Sequence, residues 1–313
     1  MNNDFLPMTT AELMDRAIHV YKKSFGRQLG FAAIWGIISY LAFFVIGIVA
    51  AIALAIFAVS ATAISAPFGY TAYDSGFGFM LLVFTIALPL ALLWQSVSSA
   101  GHILISKPDF YGRKENLPVG QLPRIALRVF GALIAQVLAS VPFLMLIFAG
   151  YASGFFSYLL HNAPWVFVLL TFILTVSYLA YMNIFSLSVA VATLERKTFF
   201  NALMRSWELI REEFWKIAGM RLLWFLIIAI IWTTIYGAFA SIGLFVGYLS
   251  ATFDIGIDYA VIGIITVVSG LASFAVMFAI TPLDGVFQAT LYFNQRIKKE
   301  GLDIEVRLER LLS

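Results

Sequence analysis

The chain has no cysteine, and it has few charged residues for its length. Without cysteine there can be no disulfide bond, no thiolate metal ligand and no cysteine nucleophile. Only 12% of the residues are charged, whereas soluble proteins have about 25%. Hydrophobic residues make up 62% of the chain, and the mean hydropathy is +0.94. These proportions exclude a soluble globular domain and predict an integral membrane protein.

Motifs for metal binding and catalysis are also missing. The histidines at 19, 102 and 161 are not spaced as metal ligands. The sequence has no glycine-rich phosphate loop, HExxH or GxSxG. We therefore expect no metal, no cofactor and no enzymatic activity. The opening MNNDFLPMTTAELMD lacks a basic region and a cleavage site, so we do not expect a signal peptide.

The basic residues occur in four stretches that alternate with uncharged or acidic segments. All 20 lysines and arginines lie within 16–27, 107–128, 196–221 and 296–310. Because basic residues concentrate in cytoplasmic loops, this pattern predicts six membrane spans with both termini in the cytoplasm. It also explains the net charge of +3 without nucleic acid as a partner. The expected spans are roughly 30–59, 79–105, 125–148, 165–192, 217–239 and 260–292, and the expected external segments are 60–77, 150–164 and 241–259.

The segment 198–230 joins a charged helix to an apolar one. Its apolar positions recur at steps of three and four, at Phe200, Leu203, Trp207, Ile210 and Phe214, which predicts one helical face. Such a helix can lie in the membrane interface or pack on other protein, and both alternatives stay open.

The same join occurs at the N-terminus. RAIHVYKKSF at 16–25 and RSWELIREEF at 205–214 each have a basic residue six positions after the first Arg and Phe nine positions after it. A degenerate copy lies at 124–137. We therefore predict an all-α integral membrane protein with one membrane domain, built from three pseudo-repeated hairpins that each follow an amphipathic cytoplasmic interfacial helix. The units are about 9–106, 117–196 and 197–300, with a charged cytoplasmic tail at 301–313. The expected interfacial anchors are Arg16, Lys22, Phe25, Arg205, Trp207, Arg211 and Phe214.

Asp284 is the acidic residue inside a predicted span. A charge at membrane depth is costly and often marks function. It could be a proton or cation site close to Pro282, or a structural partner for a basic side chain, and we favour the structural role. Gln288, Asn183 and Gln95 complete the candidate intramembrane polar site, although interhelical hydrogen bonds also explain such residues.

Three segments resemble a known family. They are MTTAELMDRAIHVYKKSFGRQLG at the start, NALMRSWELIREEFWKIAGMRLL and ATLYFNQRIKKEGLDIE near the end. They are similar to bacterial proteins related to the membrane domain of glycerophosphoryl diester phosphodiesterase, and the resemblance runs along the whole chain. That domain can be joined to a soluble phosphodiesterase domain, to which nothing here corresponds. The resemblance implies a bacterial plasma membrane and no enzyme activity.

Two functions are compatible with these features. The first is a non-catalytic accessory, scaffold or lipid-interacting membrane protein. The alternative is a small transporter or exporter of a hydrophobic or lipid-like molecule, which should have a polar cavity at the candidate site. Expected partners are membrane lipids, including anionic lipids, and a membrane protein or second copy of the chain. The pairs Gly150 with Gly154 and Gly243 with Gly247 are the candidate dimer motifs.

Overall fold

The protein is described by a computed structural model over residues 8–65, 72–111, 119–253 and 259–301. Within these residues it is helical and has no strand, which confirms the predicted class. Short 3₁₀ turns lie at Val119–Gln121 and Arg211–Glu213. The helices are α1 Thr10–Ser65, α2 Ala72–Tyr111, α3 Leu122–Ala152, α4 Phe155–Asn162, α5 Pro164–Asn183, α6 Ser188–Leu194, α7 Phe199–Ile210, α8 Phe214–Phe253 and α9 Tyr259–Glu300.

Four stretches of the described residues are long and apolar enough to cross a membrane. They are Leu88–Tyr111, Leu122–Ile147, Pro164–Leu194 and Phe199–Ile235. These stretches overlap the predicted second to fifth spans. The predicted first and sixth spans lie in α1 and α9, whose apolar parts include many side chains outside the described set. The number of six spans therefore stays a prediction.

The predicted external segments contain more helix than expected. Helix α1 continues to Ser65, and α8 continues to Phe253, so much of 60–77 and 241–259 is helical. In an apolar chain a glycine does not end a helix by itself, because the helix satisfies every backbone hydrogen bond without water. The segment 150–164 likewise contains α4 instead of only a turn.

The prediction that Gly150 and Gly154 form a dimer motif on one helix is wrong. Gly154 has φ 70° and lies between α3 and α4, so it does not share a helix face with Gly150. The surroundings of Gly243 and Gly247, and the predicted tail from residue 302 onward, lie outside the described residues.

The buried core lies at one end of the bundle, close to the basic stretches. Leu13, Ile103 and Tyr292 are each at most 1% exposed there. Farther along the helices, apolar side chains such as Ile34 and Trp165 remain 65% and 72% exposed. Lipid is the solvent that suits those side chains, so the protein packs its core at the predicted cytoplasmic end and presents its other end to the bilayer.

The predicted fourth span is interrupted between α5 and α6. At residues 184–187 the backbone changes to hydrogen bonds between residues three apart, for example from the Phe185 amide to the Met182 carbonyl at 3.2 Å. The hydroxyl of Ser206 donates to the Ile184 carbonyl at 2.8 Å and accepts from the Leu187 amide at 3.1 Å. Side chains of neighbouring helices thus satisfy backbone groups that the interruption releases.

The three-hairpin repeat is not confirmed. A 3₁₀ turn separates α7 from α8, so the predicted face from Phe200 to Phe214 does not lie on one helix, and α1 runs without interruption from Thr10 and α3 from Leu122. In α1 the buried positions Leu13, Ala17, Val20, Ser24 and Gln28 stay in helical phase. One continuous stripe therefore packs against the protein, and no separate surface helix forms.

We expect Ser206→Ala to destabilise the fold, because it leaves a buried amide and a buried carbonyl without their partner. The expected cost is about 1–3 kcal/mol, measured as a lower melting temperature in a mild detergent. Thr175→Ala is the control, since this exposed hydroxyl bonds only within its own helix, to the Thr171 carbonyl at 2.8 Å. Equal melting temperatures for the two variants would contradict the assigned role of Ser206.

Candidate functional site

A cavity of about 360 Å³ lies between α2, α8 and α9. This is within the usual range of small-molecule sites, about 300–1,000 Å³. Each helix contributes residues one and two turns apart, as one helical face does. The lining residues are Trp94, Gln95, Ser98, Ser99 and His102 from α2, Arg221, Trp224, Phe225, Ile228 and Trp232 from α8, and Ile280, Thr281, Asp284 and Gly285 from α9.

Opposite charges lie on two of these helices. Arg221 is on α8, and its charge interacts with that of Asp284 on α9. The side-chain amide of Gln288 donates to Oδ2 of Asp284 at 2.7 Å, while the Gln288 Oε1 atom is buried without a hydrogen-bond partner among the described residues. The cavity can therefore bind a ligand that carries both a negative and a positive group.

His102 is held by Gln28 of α1. The Gln28 amide nitrogen donates to the His102 carbonyl at 3.2 Å and to the Ser106 hydroxyl at 3.0 Å. Its oxygen must then accept from Nδ1 of His102, at 2.6 Å. In the neutral imidazole this leaves Nε2 as an acceptor, and Nε2 has no partner among the described residues.

Trp224 is the second wall residue with a buried polar atom that lacks a partner in the described structure. Its ring stacks on Phe287 with centroids 4.5 Å apart and planes 7° apart, and its Nε1 has no acceptor there. Buried polar atoms normally have partners. Two such exceptions occur in residues that line this cavity, one from α2 and one from α8.

Gly285 lets α9 approach α2 closely at this cavity. A Cβ atom at this position would lie 2.6 Å from Cβ of His102, which is closer than van der Waals contact permits. A side chain here would therefore push α2 and α9 apart and reshape the site.

The sequence-predicted polar residues are not all brought together. Asp284 and Gln95 line the cavity, and Gln288 contacts it through Asp284. Asn183 does not line it; this residue is 6% exposed at the end of α5, and its Nδ2 atom has no partner among the described residues. The described residues contain no group of three potential metal ligands.

The sequence reading missed Arg221, His102 and Trp224 as site residues. Arg221 was counted only among the basic residues that set the topology, although it lies inside the predicted span 217–239 and inside the stretch Phe199–Ile235. One signal was available: Arg221, Trp224, Ile228 and Trp232 recur at helical spacing. That spacing alone does not tell which helices face it.

The comparison with known families concerns the second half of the chain. The model of the family described as the membrane domain of glycerophosphoryl diester phosphodiesterase matches residues 155–308. Over that range the chain is similar to this family. The match includes the α8 and α9 walls of the cavity but not the α2 wall, and the resemblance of the N-terminal segment stays a prediction. No curated protein and no solved structure matches the chain.

Within the family segment, the expected interfacial anchors have different environments. Trp207 is 37% exposed and Arg211 is exposed, whereas Phe214 packs against the core and Arg205 is mostly buried in ion pairs. The buried face of α7 consists of Ala202, Leu203, Ser206, Leu209 and Ile210. In α1, Lys22 and Phe25 are exposed and Arg16 is half-buried.

A network of charged groups, which we call the basal network, ties the ends of α6, α7 and α9 together. Nε of Arg205 lies 3.0 and 3.2 Å from the two carboxylate oxygens of Glu195. Another Arg205 nitrogen pairs with Glu300, which also binds Arg296 at 2.7 Å. The Tyr292 hydroxyl donates to Glu195 at 2.9 Å. This network fixes the end of α9, the helix that carries Asp284.

The pH dependence of stability provides a test of the basal network. Burial raises the pKa of the Glu300 carboxyl, but hydrogen bonds and charges from Arg296 and Arg205 outweigh it and hold the pKa below the ordinary 4.5. Glu300 therefore stabilises the fold above about pH 4.5, and this contribution is lost as the pH falls through its lower pKa in the folded state. We expect Glu300→Gln to lower the melting temperature at neutral pH by about 2–4 °C and to flatten part of the acid decline. The exposed carboxyl of Asp15 supplies the control Asp15→Asn, and superimposable pH curves for wild type and Glu300→Gln would contradict the assignment.

Proposed function

We propose that this protein is a non-catalytic, multi-pass membrane protein that binds the polar headgroup of a membrane lipid in the cavity between α2, α8 and α9. The observation that carries the proposal is that Arg221 and Asp284 line one cavity, two of whose walls belong to stretches long and apolar enough to cross a membrane. Charged groups at membrane depth are costly and are kept for partners or function.

The position of the cavity favours a ligand from the bilayer. Arg221 follows the first residue of α8 by seven positions, which is about 10 Å along the helix axis. Phe225 of the cavity wall is 66% exposed, and Leu222 and Leu226, which do not line the cavity, are 54% and 47% exposed. A headgroup in the cavity would thus leave its acyl chains against apolar side chains of α8.

The wider arrangement that we propose is six spans in a bacterial plasma membrane with both termini in the cytoplasm. The concentration of all basic residues in four stretches supports it. In this orientation the exposed aromatic residues Phe200, Trp207 and Trp215 of α7 and α8 lie near the cytoplasmic interface, where aromatic rings are favoured. Lys197 and Arg211 are exposed in the same part of the chain and suit anionic lipid.

The absence of native cysteine makes this topology testable with single-cysteine variants. We expect Ser153→Cys, between α3 and α4, to react with a membrane-impermeant maleimide in spheroplasts. Lys197→Cys, between α6 and α7, should react only after the membrane is permeabilised. Both positions are exposed, so access depends on the side of the membrane. The reverse pattern would contradict the orientation, and labelling of both from outside would contradict an intervening span.

A transporter of lipid-like molecules is the alternative function, and one observation favours it. Pro282 interrupts the hydrogen-bond ladder of α9 between the cavity residues Thr281 and Asp284. Although α9 is continuous, a helix can bend at a proline, as movement beside a polar site would require. A protein that only binds lipid would retain it, whereas a transporter would also move labelled lipid between leaflets of a proteoliposome.

Lipid retention tests the proposed function. We expect the protein purified in native lipid nanodiscs to keep a defined lipid through a detergent wash, seen by native mass spectrometry. Arg221→Gln should reduce this retention at least about tenfold, because hydrogen bonds to charged groups contribute about 1.5–3 kcal/mol and about 1.4 kcal/mol is a factor of ten.

Lys216→Gln is the matched control, since Lys216 is a basic residue near the start of the same helix and does not line the cavity. Retention that is equal in Arg221→Gln and Lys216→Gln would overturn the cavity as the lipid site. A stoichiometric membrane protein or second copy, with only bulk lipid, would support an accessory or scaffold role instead.

A further inference from the structure

We propose that the headgroup bound in this cavity is a phosphate joined to a primary ammonium group, as in phosphoethanolamine lipids. This inference rests on the proposed lipid-binding function and names the ligand. It follows from the balance of charge on the cavity wall, from the supply of hydrogen-bond acceptors there, and from the way the cavity meets the bilayer.

The charges of the described lining residues balance. Arg221 supplies one positive charge and Asp284 one negative charge. A zwitterion satisfies both, whereas an anionic headgroup would bring its negative charge next to Asp284. The planar guanidinium of Arg221 suits the phosphate oxygens, and the carboxylate of Asp284 suits the ammonium.

The acceptors distinguish a primary ammonium from a trimethylammonium group. Asp284, Gln95 and the hydroxyls of Ser98 and Ser99 all line the cavity and can accept hydrogen bonds. A primary ammonium has three N–H donors for these groups, and a trimethylammonium has none.

The aromatic walls are compatible with the same ligand. Trp94 and Trp232 line the cavity, and the face of an indole ring attracts a cation. This attraction acts on both kinds of ammonium, and only the primary ammonium can also donate hydrogen bonds to the polar acceptors.

The decisive experiment uses four lipids that differ only in the methyl groups on nitrogen. Full-length protein is placed in nanodiscs of anionic lipid containing equal low fractions of phosphatidylethanolamine, its monomethyl and dimethyl forms, and phosphatidylcholine, all with the same acyl chains. Native mass spectrometry then counts each lipid retained. We expect retention to fall with each methyl group. Phosphatidylcholine should be retained at least about tenfold less than phosphatidylethanolamine, as loss of a hydrogen bond between charged groups predicts.

Variants test the headgroup assignment separately from lipid binding itself. Asp284→Asn should abolish the preference among the four lipids while phospholipid is still retained, and Glu212→Gln, an exposed acid outside the cavity, should keep the preference. Equal retention of the four lipids by wild type would overturn the headgroup assignment alone. If wild-type protein that is folded, as a cooperative melting transition shows, retained none of the four lipids, the proposed function itself would be overturned.

The headgroup could also come from a soluble molecule, and a competition arm decides between the sources. Glycerophosphoethanolamine without acyl chains is added to the nanodisc sample. We expect it to displace the bound lipid only at concentrations at least a hundredfold above the lipid fraction, since acyl chains contribute through buried apolar area. Equally tight binding would overturn the assignment to a lipid.

Discussion

The ion pair between Arg205 and Glu195 is the interaction on which the rest of this structure depends. It joins the end of α6 to α7, and through Glu300 it also reaches the last turn of α9. Exposed ion pairs contribute little, but here both side chains are less than 20% exposed and share further partners. The basal network thus holds the C-terminal end of α9 in place, and this helps to set the position of Asp284 on the same helix.

The cavity is a consequence of how α9 is then packed. Gly285 brings α9 against His102 of α2, and the stacked rings of Trp224 and Phe287 hold α8 at the width of two aromatic rings. Close contact on one side and a bulky spacer on the other leave room between the three helices. The site therefore depends on a very small residue, Gly285, and a large one, Phe287, two positions apart on α9.

The sequence was sufficient for properties that depend on position along a helix. Composition and hydropathy predicted the membrane class, and the helical spacing of apolar residues predicted a helix in the segment that forms α7. Properties that depend on which helices face each other could not be predicted from the sequence. Arg221 and His102 are far apart in sequence, and nothing in either segment indicates that both line one cavity. The break at 184–187 was missed for the same reason, because the groups that satisfy it, including Ser206, come from another helix.

The charges of the cavity argue against a purely structural role for Asp284. A structural ion pair in an apolar environment offsets its desolvation only with direct contact and complete hydrogen bonding. Asp284 instead binds Gln288 and remains exposed, while Arg221 faces the same space of about 360 Å³. Replacing both charged residues with apolar side chains that fill this space would remove the desolvation cost of both charges. A helix face that keeps arginine between large aromatic residues, opposite a carboxylate, is better suited to holding a charged molecule than to packing two helices together.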